Sequence, residues 1–385
     1  MSYRQIYHAN VLKGWGNDPN GIIEYNGQYH MFYQHYPHAP KWGIMHWGHF
    51  VSKDFIKWEN CPIALYPNKH YEDTLGCWSG NAFIRNGEFY VMYTGATMET
   101  QTQNIAKSSD GIDFEKYQGN PVLTTKLAKE LSPVHLRDPK VIEKDGYYYC
   151  FLGTLLHDKY GNIVLCRSKD LREWDYVGHL FDKQDNIDSR FFELDGVYEC
   201  PDYFQIDGKD IIITSPQHLP QSGTSFENVN SCIYMVGKLN FTTGHFEIES
   251  IHELDEGFDF YAAQVLHTSD NRHILMAWKE MWHRDYPTES EGWIGSYSLP
   301  RELTLENNVL RQRPVREIQA YRKNPLTIPE FILDNEKKTF EGLQGNCIEL
   351  QVSFEKEDDF EIRLLKGEHE TKILFNTRNN TLSLD

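Results

Sequence analysis

Apolar positions along the chain fall into short runs rich in Tyr, Phe, Val and Ile, and the runs recur at a fixed interval. Five read as strands: QYHMFYQHY (28–36), EFYVMYTGA (88–96), YYYCFLGTL (147–155), DIIITSPQ (210–217) and HILMAWKEM (273–281). Turn glycines Gly27, Gly87, Gly146 and Gly208 stand before the first four, spaced 60, 59 and 62 residues apart. Asn271-Arg272 takes that place about 64 residues further on. Three runs lead to a second signature: Ser52-Lys53-Asp54-Phe55 before Trp58, Ser108-Ser109-Asp110-Gly111 before Phe114, and Ser168-Lys169-Asp170-Leu171 before Trp174. A strand, a polar turn and an outer strand opening on an aromatic make one repeating unit. No long amphipathic helix interrupts the pattern. Strand spacing alone fits a β-sandwich or a propeller. The superperiod of about sixty residues selects an all-β, five-bladed β-propeller over residues 1–316.

The repeat ends near Arg316. A linker with Asn324-Pro325 and Ile328-Pro329 follows over 317–335. CIELQVSFE (347–355), DFEIRLLKG (359–367) and TKILFNTR (371–378) then alternate as strands of a second β-domain, 336–385. So few residues make a marginal domain, and an incomplete C-terminal β-sandwich is expected.

Composition narrows the partners. The 38 Lys+Arg against 56 Asp+Glu give a net charge of −18, which disfavours nucleic acid and anionic membranes. MSYRQIYHANVLKG carries no apolar run of signal-peptide length, and no stretch approaches the ~20 residues of a membrane span. The seven cysteines form no CxxC pair, which fits a reducing, cytoplasmic compartment. The sequons at Asn240 and Asn379 then carry no glycan. Aromatics are 14% of the chain, a supply of flat faces suited to stacking on sugar rings in a small carbohydrate substrate. Oligomeric state is not encoded in these patterns.

Counting back from the turn glycines brings out three acids. Asp18 in GWGNDPNG lies 9 residues before Gly27, Asp138 in LRDPKVIEKDG lies 8 before Gly146, and Glu199 in YECPDYFQIDG lies 9 before Gly208. Each stands where the innermost strand of its blade begins, so the three are expected to converge at one mouth of the central channel. Asp-Pro also marks ordinary turns, but three acids crowded on an axis repel one another and serve stability poorly. Clustered acids suggest either a hard-metal site or glycoside hydrolysis. The EF-hand pattern is absent, and Arg137 beside Asp138 would hinder a metal while helping to keep a substrate-binding carboxylate ionised. His35, His38, His46 and His49 make a poor metal set, because residues three apart on a strand face opposite sides. No metal and no cofactor are expected.

NDPNG (17–21), RDP (137–139) and EC (199–200) resemble the signature motifs of glycoside hydrolase family 32, the β-fructofuranosidases. The likeness extends in order through FYQHYP (32–37), WGIMHWGH (42–49), CWSG (77–80), DFYAAQ (259–264) and LPREL (299–303). The resemblance implies a retaining hydrolase of terminal β-D-fructofuranosides such as sucrose, sucrose 6-phosphate or short fructans. It implies Asp18 as nucleophile, Glu199 as general acid/base and Asp138 as transition-state stabiliser. Asn17 and Gln34 resemble the family's fructose-contacting amides, Arg137 the stabiliser's neighbour, and Trp42, Trp78 and Ser79 its subsite walls. Trp42 and Trp78 also read as packing between blades, and Trp278 reads as core. Donors from Asn17, Asn20 and the backbone of the NDPNG turn are expected to hold Asp18 ionised. Gly16 departs from the Met or Leu of many members, which is expected to remove apolar wall beside the nucleophile. The chain stops at LSLD, inside the sandwich that members complete. A pentoside-cleaving five-bladed glycosidase and a non-catalytic sugar-binding propeller are the alternatives.

Overall fold

The computed structural model describes residues 2–182, 185, 188–192, 194–355, 358–365 and 370–385. Two compact units divide the chain, Met1–Glu317 and Ile318–Asp385.

The first unit is a five-bladed β-propeller whose blades are antiparallel sheets in chain order. Blade I holds Gly14–Tyr25, Gln28–Tyr36, His46–Ser52 and Trp58–Leu65, and blade II holds Gly76–Arg85, Glu88–Ala96, Gln101–Ser108 and Glu115–Lys116. Blade III holds Leu131–Lys144, Tyr147–Leu156, Tyr160–Ser168 and Asp175–His179. Blade IV comprises Tyr198–Ile206, Lys209–Pro216, Ile233–Leu239 and Phe246–Glu253, and blade V comprises Tyr261–His267, His273–Trp278, Arg301–Glu306 and Val309–Pro314.

Local chemistry sets the repeat. Asn26-Gly27, Asn86-Gly87, Asp145-Gly146 and Asp207-Gly208 all have positive φ at both residues, the two-residue turn that matches strand twist. In the outer turns, Asp54, Asp110 and Asp170 accept hydrogen bonds from the backbone N–H groups two and three residues on. Apolar side chains of neighbouring blades then fill the space between sheets: Phe32, Trp47, Phe89 and Val91 between blades I and II, and Phe151, Leu165, Tyr203 and Ile212 between III and IV. The ring closes on blade I, where Trp293–Ile294 lies parallel to Gly14-Trp15 and Val11 N–H donates to Gly295 O at 3.0 Å.

Polar ties hold the innermost strands together around the axis. Asn81 of blade II exchanges hydrogen bonds with the Val141 backbone of blade III at 2.9 and 3.2 Å. Asp202 of blade IV accepts Val265 N–H of blade V at 2.7 Å, and Gln264 of blade V donates to Gly80 O of blade II at 3.1 Å.

In the second unit Phe360–Leu364, Thr371–Asn376 and Thr381–Leu384 form an antiparallel sheet. The rings of Phe354, Phe360 and Phe375 pack on one another with centroids 4.5–5.3 Å apart. The strand expected at CIELQVSFE is not formed. Its alternating residues Ile348, Leu350 and Val352 are exposed, and only Phe354 packs on the sheet; an unpaired strand leaves its backbone groups unsatisfied.

Candidate active site

NDPNG is not a turn. It lies inside the continuous strand Gly14–Tyr25, which carries two bulges, one between Gly16 and Pro19 and one between Asn20 and Ile23. The innermost strands of blades III, IV and V are bulged between Arg137 and Lys140, Glu199 and Asp202, and Tyr261 and Gln264. Bulges bend a strand and re-aim its side chains. Asp138, Cys200 and Ala262 sit in these bulges with φ of 61°, 49° and 53°, a conformation that non-glycine residues hold at a cost.

The pairs Asn20↔Phe32, Lys140↔Phe151 and Asp202↔Ile213 fix the register. They place Asp18, Asp138 and Cys200 at one position of their blades, and Asn17, Arg137 and Glu199 at the preceding one. Glu199 is therefore offset by one residue from the two aspartates. Counting back from the turn glycines hides this, because the second bulge of blade I adds a residue between Asp18 and Gly27.

The three acids meet at Cys200. Its backbone N–H donates to Asp138 Oδ2 at 3.0 Å and its thiol donates to Asp18 Oδ2 at 3.5 Å, while Glu199 is its chain neighbour. Asp18 also accepts Ser79 Oγ–H at 2.7 Å on Oδ2 and Asn17 Nδ2–H at 2.9 Å on Oδ1. Trp15 Nε1–H donates to Asn17 Oδ1 at 2.7 Å, fixing which end of that amide faces the carboxylate. Asn20 takes no part; both polar atoms of its fully buried side chain lack a hydrogen-bond partner among the described residues. Burial raises the Asp18 carboxyl above its ordinary range, Glu199 pushes the same way, and Ser79, Asn17 and Cys200 oppose the rise.

Arg137 reaches mainly Glu199. Its Nη2 donates to Glu199 Oε1 at 2.9 Å and to Gln217 Oε1 at 3.2 Å, whereas its Nε stands 3.9 Å from Asp138 Oδ2. The Asp138 carboxyl is pushed up by burial; Arg137 lowers it, and the negative Glu199 and Asp18 raise it again. The guanidinium thus favours the ionised form, in the expected direction, while burial and the two neighbouring acids outweigh it. Tyr261 donates its hydroxyl to Glu199 Oε2 at 2.5 Å. It occupies the start of the blade V bulge, as Glu199 does in blade IV.

Trp78 is half-buried, under the Arg137 guanidinium at 5.9 Å. Trp42 is exposed and meets it edge-on at 6.4 Å. Gln34 is buried and donates its amide to Cys77 O at 3.0 Å, joining blade I to the strand that carries Ser79. The space at Gly16 is not an opened subsite: a Cβ there would meet Val11 Cγ1 at 2.5 Å and the Tyr297 hydroxyl at 3.1 Å. His35 and His46 bond to backbone carbonyls, and His30 bonds to His49. Among the described residues no three His, Cys, Asp or Glu gather as a metal site. Sequence reasoning missed Tyr261, Gln217 and Trp282, whose ring stacks on Trp15 at 5.7 Å. Only Tyr261 lay within a recognised motif, DFYAAQ.

A propeller with carboxylates gathered at the bulges of its innermost strands defines a class, the five-bladed glycoside hydrolases. The chain belongs to glycoside hydrolase family 32: residues 8–314 match the profile of the "Glycosyl hydrolases family 32 N-terminal domain". A sucrose-6-phosphate hydrolase of Zymomonas mobilis is 36% identical over 400 residues, covering 98% of this chain and 76% of the relative. A solved Bombyx mori family 32 β-fructofuranosidase is 36% identical with a TM-score of 0.75, over 84% of this chain and 67% of that one. The sucrose-6-phosphate hydrolase of Lactobacillus gasseri has a TM-score of 0.76 at 31% identity, over 84% of this chain and 65% of that one.

Proposed function

We propose that the protein is a retaining β-fructofuranosidase that releases the terminal fructosyl unit of sucrose, sucrose 6-phosphate or short fructans through a covalent fructosyl-enzyme. Family membership and the fructosidase relatives support the reaction class and speak against pentosides. Asp18 is the nucleophile at the anomeric carbon. Glu199 protonates the leaving oxygen and then activates water, and Asp138 holds fructose hydroxyls as the oxocarbenium-like state develops. Asn17 and Arg137 contact the fructose, with Gln34 supporting the wall that Trp42, Trp78 and Ser79 complete. The observation that carries this reading is the junction at Cys200, which bonds both aspartates and adjoins the glutamate.

The geometry suits the division of labour. Asp18 is gripped by three donors and so aimed. Glu199 keeps one oxygen on Arg137 and the other on the Tyr261 hydroxyl, and is so aimed. The absence, among the described residues, of any helix long and apolar enough to span a membrane is compatible with the cytoplasmic site of action we propose.

Leaving-group dependence tests the roles. Asp18→Ala and Glu199→Gln are each expected to lower kcat on sucrose by several orders of magnitude. An aryl fructoside with an acidic phenol needs little protonation, so it restores the first step, read as a burst of released phenol, to Glu199→Gln and not to Asp18→Ala. Equal rescue of both variants would refute the assignment.

A further inference from the structure

An acid that protonates the leaving oxygen fixes where the leaving sugar lies: on the open side of Glu199. A cleft of about 230 Å³ opens there, lined by Glu199, Gln217, His218, Asn230, Trp282 and His283. Beside Glu199, its two amides are one-sided. Gln217 Oε1 is taken by Arg137 Nη2 at 3.2 Å and Val197 N–H at 3.3 Å. Asn230 Oδ1 is taken by His218 N–H at 3.3 Å. Each amide thus has its acceptor occupied, and among the described residues neither amide nitrogen has a protein acceptor. Gln217 and Asn230 pair across a β-bridge, and both line the cleft.

Two imidazoles complete the lining. His218 pairs through Nδ1 with Asp195 Oδ1 at 3.1 Å, which orients the ring; when the ring is protonated its Nε2–H is a further donor. His218 and His283 both hold left-handed backbone, φ 60° and 63°, strain of the kind stored at binding sites. Trp282 adds an aromatic face held against Trp15. Two amides whose acceptors are engaged, beside two imidazoles and an aromatic face, suit a sugar ring that carries an anion better than one that carries only hydroxyls. A hydroxyl asks for acceptors as well as donors; a phosphate oxygen asks for donors alone.

We propose that this cleft selects a phosphorylated leaving sugar, with His218 and His283 as the specificity-determining residues, Gln217 and Asn230 as amide donors and Trp282 as the platform. The inference rests on the fructosidase reading and names which of its substrates the chain prefers. The phosphomonoester of sucrose 6-phosphate sits on the glucose, the unit that departs from Glu199, so the selection acts on the leaving side and leaves the chemistry at Asp18 unaltered.

The test is kcat/KM for sucrose 6-phosphate and sucrose side by side, in the wild type and in His218→Gly and His283→Gly. Glycine keeps the left-handed backbone without strain. The wild type is expected to prefer the phosphorylated sugar by roughly tenfold or more, and each substitution to cut that ratio by about tenfold, the usual worth of a charge-assisted hydrogen bond. Competitive inhibition of the unsubstituted enzyme reads the same cleft: glucose 6-phosphate is expected to inhibit far more strongly than glucose. A wild-type ratio near one, a ratio that both substitutions leave unchanged, or equal inhibition by the two sugars overturns the proposal. A wild type inert on both disaccharides would instead remove the parent reading, and is told apart by the missing sucrose signal.

Discussion

At the scale of single residues, the candidate site depends on donors placed against buried carboxylates. Asp18 sits where burial and Glu199 both favour its protonated form, while a nucleophile must be ionised. Activity then rises with pH through the Asp18 titration, and that acid limb lies above the ordinary carboxylate range. The Cys200 thiol is the weakest of the three donors and so the easiest to tune. Cys200→Ser supplies a stronger donor to the ionised form and should move the acid limb of kcat/KM down; Cys200→Ala removes the donor and should move it up, each by roughly half to one pH unit. A shift of the same sign in both variants would show that the thiol acts by volume alone. Asp18 and Asp138 were legible in the sequence because each stands before a proline at the head of an apolar run. Tyr261 and Gln217 were not. Their partners, Arg137 and Glu199, lie on other blades, and no local pattern announces a contact between residues 62 or 80 positions apart.

At the scale of elements, the bulge in each innermost strand is what turns a repeat into a site. It was not legible, because a bulge adds a residue without changing composition, and the count of 9, 8 and 9 residues to the turn glycines absorbed it. The hairpin turns were legible, since Asn-Gly and Asp-Gly name their own geometry. The strand forecast at 347–355 failed for the opposite reason: alternation describes a face, and strand formation also needs a partner and a layer. The bulged strands are held by buried ties whose loss should be felt in stability. Asp202, almost fully buried, accepts Val265 N–H at 2.7 Å and pairs with Lys140 at 2.7 Å. Asp202→Ala leaves a buried N–H and a mostly buried ammonium without their partner, and we expect a loss of about 3 kcal/mol in urea unfolding. Asp202→Asn keeps the acceptor and should lose about half of that. Equal stability of the alanine variant and the wild type would show that the tie between blades IV and V is dispensable.

At the scale of the whole molecule, the sixty-residue period was the most informative signal in the chain. It is global, so neither a bulge nor a variable loop erases it, and it places the heads of five strands at one end of an axis before any contact is known. Every residue assigned to the chemistry lies in the propeller unit, Met1–Glu317, and the family profile ends at residue 314. The central claim is that acids from three blades act as one retaining site with Asp18 as its nucleophile. Its most direct measurement is peptide mass spectrometry of Glu199→Gln after brief exposure to an activated aryl fructoside, because a blocked second step lets the covalent intermediate accumulate. The account predicts one fructosyl adduct, carried by Asp18 in the peptide around GWGNDPNG and absent when Asp18 is also replaced. An adduct on Asp138 or any other side chain, or one that survives the loss of Asp18, would contradict it.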